Sequence, residues 1–339
     1  MVELPLRGVK FTRLLSSAGD WSGTLPLGAK VLSALDPINT TKPNEVELVI
    51  QRDGKVAASG LITDREYNSD TQELKLAGHE GWFYFDRRLI DSDLTYAPLD
   101  QGLIVQDLLT RAAIPPQGDF RVDLPSTAAF TTGVTRTIGY LQVDCKPISE
   151  AVEELASMLS GFEFSLDGYW SGNTFRHAFN FGFPLRGVRG GALTQWDLPG
   201  AITSYRWQEQ GSEQANEVFG TGDDGTGHVA LKRIKTFRRA QPLLQRQVSY
   251  RAVTDSGTLL SWTQQQAARM ADPVVAAFVT VKGDLLPALG DYGLGDDVTF
   301  QFNDPRFNNV SSIWRLAGWT VTTADKGGSE SVNLLVIST

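Results

Sequence analysis

The chain reads as a mainly β protein with an α+β insertion, in which a small β-barrel domain opens the chain, a domain of mixed helices and strands follows, and a second strand-rich domain closes it. Three observations predict this. Apolar residues alternate in Glu45–Gln51, with Val46, Leu48 and Ile50 on one face and Glu45, Glu47 and Gln51 among their opposites, the pattern of a half-buried strand. From Asp100 the period lengthens to that of a helix, with Ile104, Val105, Leu108, Leu109 and Ala112 on one side. Beyond Pro199 the alternation returns and continues to the C-terminus. These shifts set the expected domains at 1–98, 99–199 and 200–339.

Taken in order, Lys10–Leu15 is expected to form the first strand, followed by a loop at Gly19–Gly23 whose Trp21 plugs one end of the first barrel. Leu25–Leu35 is apolar without a clear period. The strand through Val46, Leu48 and Ile50 ends at Asp53-Gly54, a dipeptide suited to a tight hairpin because both residues tolerate positive φ. A second strand runs from Gly60 to Tyr67, turns at Asn68-Ser69-Asp70 and returns as Gln72–Leu76, completing an antiparallel meander. Trp82–Phe85 then forms a short aromatic segment ending at Arg87-Arg88-Leu89.

In the middle domain, Asp100 caps the first helix and Pro115-Pro116 stop it. A second helix starts after Pro147 with Ser149 as its cap, buries Val152, Leu155, Ala156 and Leu159, and ends at Gly161. Phe162–Leu166 and the run through Phe175, Phe179, Phe181 and Phe183 supply its sheet. In the last domain Ala201–Trp207, Asn216–Phe219 and His228–Leu231 read as strands, with Gly220–Gly227 as a loop. A third helix spans Leu259–Ala271, capped by Asp255 or Ser256. Four more strands follow at Ala276–Val281, Val298–Phe302, Ile313–Val321 and Val332–Ile337.

At 339 residues the chain can bury a core in each domain. No run approaches the roughly 20 apolar residues of a membrane helix, and the N-terminus lacks the basic and apolar regions of a secretory signal. Assembly in the cytoplasm is expected. Cys145 is the single cysteine, which excludes an intrachain disulfide and a cysteine-rich zinc site. The net charge of −8 opposes general binding to phosphate backbones.

Few residues suggest chemistry. Gly220–Gly225 satisfies GxGxxG, but Asp223 and Asp224 inside it would repel a pyrophosphate, so a hairpin loop is expected there. Cys145 and His177 form the one Cys/His pairing to weigh, and no flanking signature supports a nucleophile. Three scattered histidines offer no metal-binding spacing, and neighbouring carboxylates such as Asp296-Asp297 do not face each other across a bond. No cofactor or metal is expected. Lys232, Arg233, Lys235, Arg238 and Arg239 concentrate five cations in eight residues. A solvated strand or loop whose cations meet an acidic neighbour, or a contact with a subunit or partner, is the reading adopted for them, over a phosphate track with Phe237 stacking on a base.

The succession Gly54–Thr63, then Leu74-Lys75-Leu76-Ala77-Gly78, then Trp82–Phe85 leading into Arg87-Arg88-Leu89, resembles the start of phage tail-tip (baseplate) hub proteins, the minor tail proteins of long-tailed siphophages. Ile148–Gly168 (ISEAVEELASMLSGFEFSLDG) and the turn Leu294-Gly295-Asp296-Asp297-Val298 resemble the same proteins. The resemblance implies a tail-hub-like fold, with two β-barrel tube domains and a peripheral α+β domain. It implies a virion structural protein and not an enzyme: a homotrimer joining the hexameric tail tube to the threefold tip and forming part of the DNA channel. Its implied partners are the distal tail protein, the tape-measure protein and other tail-tip or receptor-binding proteins, with DNA only in passage. Many hubs carry a C-terminal extension, and none is expected here because a strand reaches Ile337. Since a conduit must not hold its cargo, Glu45, Glu47, Asp64, Glu66 and Glu73 are expected to face the lumen. The competing readings are a β-rich cell-wall glycan hydrolase and a carbohydrate-binding protein exposing Trp170 or Trp196.

Overall fold

The computed structural model describes residues 2–28, 35–114, 119–158, 160–190, 194–223, 229–236, 241–250, 253, 255–272, 274–303, 310–324 and 329–338. Its frame is one 11-stranded sheet that takes strands from both ends of the chain. The N-terminal part supplies β1 (Arg7–Leu14), β2 (Asp20–Pro26), β3 (Glu47–Arg52), β4 (Lys55–Asn68) and β5 (Glu73–Glu80). A one-turn helix, α1 (Pro37–Thr40), lies between β2 and β3.

The Asp53-Gly54 turn has positive φ at both residues, 50° and 76°, as a tight hairpin between right-twisted strands requires. At the next turn the Asn68 side-chain oxygen accepts from the N–H groups of Asp70 and Thr71. Trp21, expected in a loop, lies within β2 and is buried. It fits because Gly78 is opposite: a Cβ there would come within 2.6 Å of the indole.

Residues 81–190 then leave the sheet and build a peripheral unit. A 3-10 turn at Gly81–Arg87 buries Trp82 and Phe85. After it come β6 (Leu94–Asp100), α2 (Gln101–Ala112), β7 (Val122–Asp123), α3 (Thr127–Phe130), β8 (Thr135–Tyr140), α4 (Ile148–Ser157), β9 (Glu163–Ser171) and β10 (Thr174–Gly182). Asp100 caps α2 as expected, accepting from Gly102 N at 2.9 Å. Ser149 does not cap α4: Pro147 occupies the cap position and Ser149 is buried in the first turn. Pro115, Pro116 and Leu159 lie outside the described residues. The change of core falls at Gly81. Ala97-Pro98, read as the boundary, sits inside β6, which pairs with β8 and packs on the peripheral core.

The chain rejoins the frame with β11 (Gln195–Leu198) and β12 (Ile202–Gln210). It departs again into a small sheet, β13 (Glu217–Asp223), β14 (Val229–Lys235) and β15 (Gln245–Tyr250), covered by α5 (Ser256–Ala271). Asp255 caps α5 through Thr258 N at 2.6 Å. The chain closes with β16 (Val274–Lys282), β17 (Asp297–Phe302), β18 (Val310–Thr322) and β19 (Ser331–Ser338).

The long sheet runs β12-β16-β19-β18-β1-β2-β5-β4-β3, with β17 also on β18 and β11 parallel to β17. The expected mainly-β class holds, but the two strand-rich segments, expected as separate barrels, merge into one sheet whose hydrogen-bonded path is open among the described residues. Its inner face shares one core, in which Leu25, Leu74 and Leu76 meet Val279, Phe300, Val332, Leu334 and Val336. Arg52 at the tip of β3 reaches Glu330 at 2.6 Å and the Gly283 carbonyl at 3.0 Å, so the sheet is coiled over that core. A second core fills the peripheral unit and takes in Leu259 and Trp262 of α5.

Candidate assembly surfaces

The basic run lies mainly on β14, at one edge of the small sheet. Antiparallel register places Arg233 opposite Phe219 and Lys235 opposite Glu217, all on the face turned away from α5. Glu217 is almost wholly buried beneath them. Its carboxylate accepts from Arg233 Nε at 2.5 Å and Gln245 Nε2 at 2.5 Å, and Lys235 Nζ lies 3.3 Å away. These bonds, Arg233 first, pull its pKa down to about 2. Lys232 points the other way and meets Ser256 Oγ at 2.5 Å. Arg238 and Arg239 lie outside the described residues.

The acidic set separates. Glu45 is exposed and pairs with Lys42 at 3.2 Å. Asp64 and Glu66 stand on the exposed far half of β4, Glu66 opposite Lys75, and Glu73 is half-buried opposite Asn68. Glu47 departs from its expected place on an open wall. Its side chain is 11% exposed and turns to His177 Nε2 at 2.8 Å, because β10 of the peripheral unit closes over β3. His177 is itself fixed by stacking on Phe120 at 4.6 Å.

A charged seam between the long sheet and the peripheral unit escaped the sequence reading. Arg13 on β1 contacts Glu80 of β5 at 2.5 Å and Asp167 of β9 at 2.5 Å. Arg186 also reaches Asp167 at 3.3 Å and donates its backbone N–H to Glu163. Arg315 on β18 holds Glu163 through two nitrogens and donates to the Arg186 carbonyl at 2.8 Å. Arg189 pairs with Asp297 at 3.0 Å. Four arginines thus meet four carboxylates; Arg315–Glu163 and Arg13–Glu80 are the buried pairs, and removing one partner of a buried pair costs about 3–5 kcal/mol because the other charge is stranded. Burial pushes the Glu80 carboxyl up to about 7, against the opposing pull of Arg13 and the Gly19 N–H. Arg13 and Asp167 are 154 positions apart, so no local pattern marks the pair.

Residues weighed for chemistry take structural places. Cys145 is exposed in a left-handed cap position, while His177 is buried against Glu47. Trp196 is core, and Trp170 packs edge-on to Phe175 at 5.0 Å. The first two glycines of GxGxxG are not in a loop: Gly220 and Gly222 belong to β13 and face α5, while Gly225 lies outside the described residues. A Cβ at Gly220 would lie 1.8 Å from Thr263 Oγ1, so glycine is what lets the helix settle on the strand. Among the described residues no group of three or more His, Cys, Asp or Glu is arranged to hold a metal ion. No helix among them is long and apolar enough to cross a membrane.

No family model and no curated protein matches the sequence. Solved structures do match over nearly the whole chain. The 43 kDa tail protein of prophage MuSo2 from Shewanella oneidensis aligns over 98% of this chain and 94% of its own, with a TM-score of 0.63 at 12% identity. The chain has the fold of a phage tail protein. The same tail-protein fold appears in the tail protein from Neisseria meningitidis MC58, with a TM-score of 0.60, 12% identity, and 98% and 92% coverage. It extends to the E. coli c3393 protein, a type VI secretion component described as similar to the T4 tail proteins gp27 and gp5. There the TM-score is 0.55 at 12% identity, over 100% of this chain and 75% of that one.

Proposed function

We propose that this protein is a structural component of a phage tail: a trimeric hub at the tail tip that joins the hexameric tube to the threefold tip and forms part of the DNA channel. The observation that carries this is the match of the whole chain, both sheet segments and both insertions, to phage tail proteins. Each subunit brings two strand-rich segments to one sheet, so three copies supply six, the arithmetic of a threefold ring beneath a sixfold tube.

The open face of the long sheet suits a channel wall. Across β1, β2, β5, β18 and β19 it presents Thr12, Ser22, Thr24, Thr320, Thr322 and Asn333, with Thr12 and Thr320 hydroxyls 3.1 Å apart, and two cations, Lys10 between Ser22 and Thr322 and Lys75 between Thr24 and Glu66. Short neutral polar groups outnumber the two lysines and offer phosphates little to hold, since affinity for DNA comes from cations that displace its counterions, and Lys75 stands opposite Glu66. Asp64, Glu66 and Glu73 lie at the β4–β5 end of that wall and Glu45 near it, in keeping with a lumen that repels its cargo. The proposed neighbours are the distal tail protein, the tape-measure protein and receptor-binding proteins, and the proposed location is the virion after assembly in the host cytoplasm. A catalytic role is not part of the reading.

Native mass spectrometry of the purified chain, alone and mixed with its neighbouring tail proteins, tests the trimer. Three copies per complex are expected. A monomer at every concentration, or one copy per tail, overturns it.

A further inference from the structure

The open face of the small β13–β15 sheet lies opposite α5, and no described element packs on it. Phe219, Thr221, Leu231, Gln245, Arg246 and Gln247 line a groove of about 360 Å³ there. Leu231, on the edge strand β14, is 59% exposed, and the Arg233 guanidinium lies over the Phe219 ring at 5.3 Å. An apolar floor with a cationic rim is the make-up of a protein-binding surface, whose core is apolar and whose edge is charged.

The charge of this region is opposite to that of the remainder. Residues 229–254 contain seven Lys or Arg and no Asp or Glu, while the whole chain carries −8, so everything outside them carries −15. The unit is inserted between β12 and β16, and β12 is the last strand on the path of the long sheet, so the insertion springs from one edge of that sheet. A head-to-tail neighbour approaches at such an edge.

We propose that the open β13–β15 face is the surface by which one subunit grips the acidic body of a second copy of this chain, with Leu231 and Phe219 as the apolar anchor and Arg233 and Lys235 as the rim. This rests on the ring reading above. Duplex DNA suits the face less well. Glu217 sits between Arg233 and Lys235, where a phosphate track needs cations alone, and the apolar groove has no counterpart on a sugar–phosphate backbone.

Sedimentation velocity of the full chain over a concentration series, at about 50 and 500 mM salt, tests the proposal, since rim pairs are screened at the higher value. Two variants are compared with the wild type: Leu231→Asp, which changes an exposed side chain, and Gln247→Glu, which sets a carboxylate at the exposed edge of the groove beside Phe219. Circular dichroism confirms that each is folded. The proposal expects salt-sensitive self-association of the wild type, weakened about tenfold or more by either variant. Association unchanged in both variants overturns this inference and leaves the ring standing. A wild type that never associates takes down both. Retention of the wild type on a duplex DNA column, lost in the variants, assigns the face to nucleic acid and overturns it as well.

Discussion

Glu80 shows how much of this fold is held by groups that no local pattern reveals. It ends β5, and its carboxylate is buried between Arg13 and the Gly19 N–H. Its ordinary pKa is 4.5 and burial lifts it to about 7. Between those values the folded chain keeps a proton that the unfolded chain releases. The stabilising contribution is therefore fully present below pH 4.5 and is lost as the pH rises through 7. Glu80→Gln removes that titration, so its stability profile should be flatter than the wild type's over this interval. Urea midpoints at several pH values from 4.5 to 8 check this, and parallel profiles contradict it. The sequence reading found the local events around this residue, including the Asp53-Gly54 turn and the Asp100 and Asp255 caps, because each depends on neighbours within a few positions. It missed the seam, whose partners meet only through the tertiary fold. It also put Glu47 on an open wall, because alternation says which face a side chain takes but not what closes over that face.

Among the elements, helices were the most legible: the α2 stripe of Ile104, Val105, Leu108, Leu109 and Ala112 is fully buried. Strands with clean alternation, such as β19 with Val332, Leu334 and Val336 inward, were legible too. β6 was not, since Pro98 interrupts it, and the register shifts between Tyr96 and Leu99 to accommodate the missing N–H. β13 was mistaken in part for a loop because Gly220 and Gly222 look like turn residues when α5 is unseen. Gly220→Ala should destabilise the chain by about 1–3 kcal/mol through overpacking against Thr263. Adding Thr263→Ala should restore much of the loss. Chemical denaturation of both singles and the double closes this cycle, and a neutral Gly220→Ala contradicts the packing account.

At the scale of the whole molecule, the long sheet gathers nine strands into one path from β12 to β3 and carries two insertions on its periphery. The sequence showed three alternating and helical segments in the right order. It did not show that the outer two join, because pairing β1 with β18 brings together Lys10 and Thr322, residues from the two ends of the chain. That joining makes the subunit a plate with one apolar, covered face and one polar, open face, and the proposed channel follows from it. Cryo-electron microscopy of the assembled tail is the most direct test. The account predicts three copies in a ring at the tail tip, with Thr12, Thr320 and Asn333 facing the bore and the peripheral unit of residues 81–190 outside. A subunit found away from the tip, or a bore lined by Lys232, Arg233 and Lys235, would contradict it.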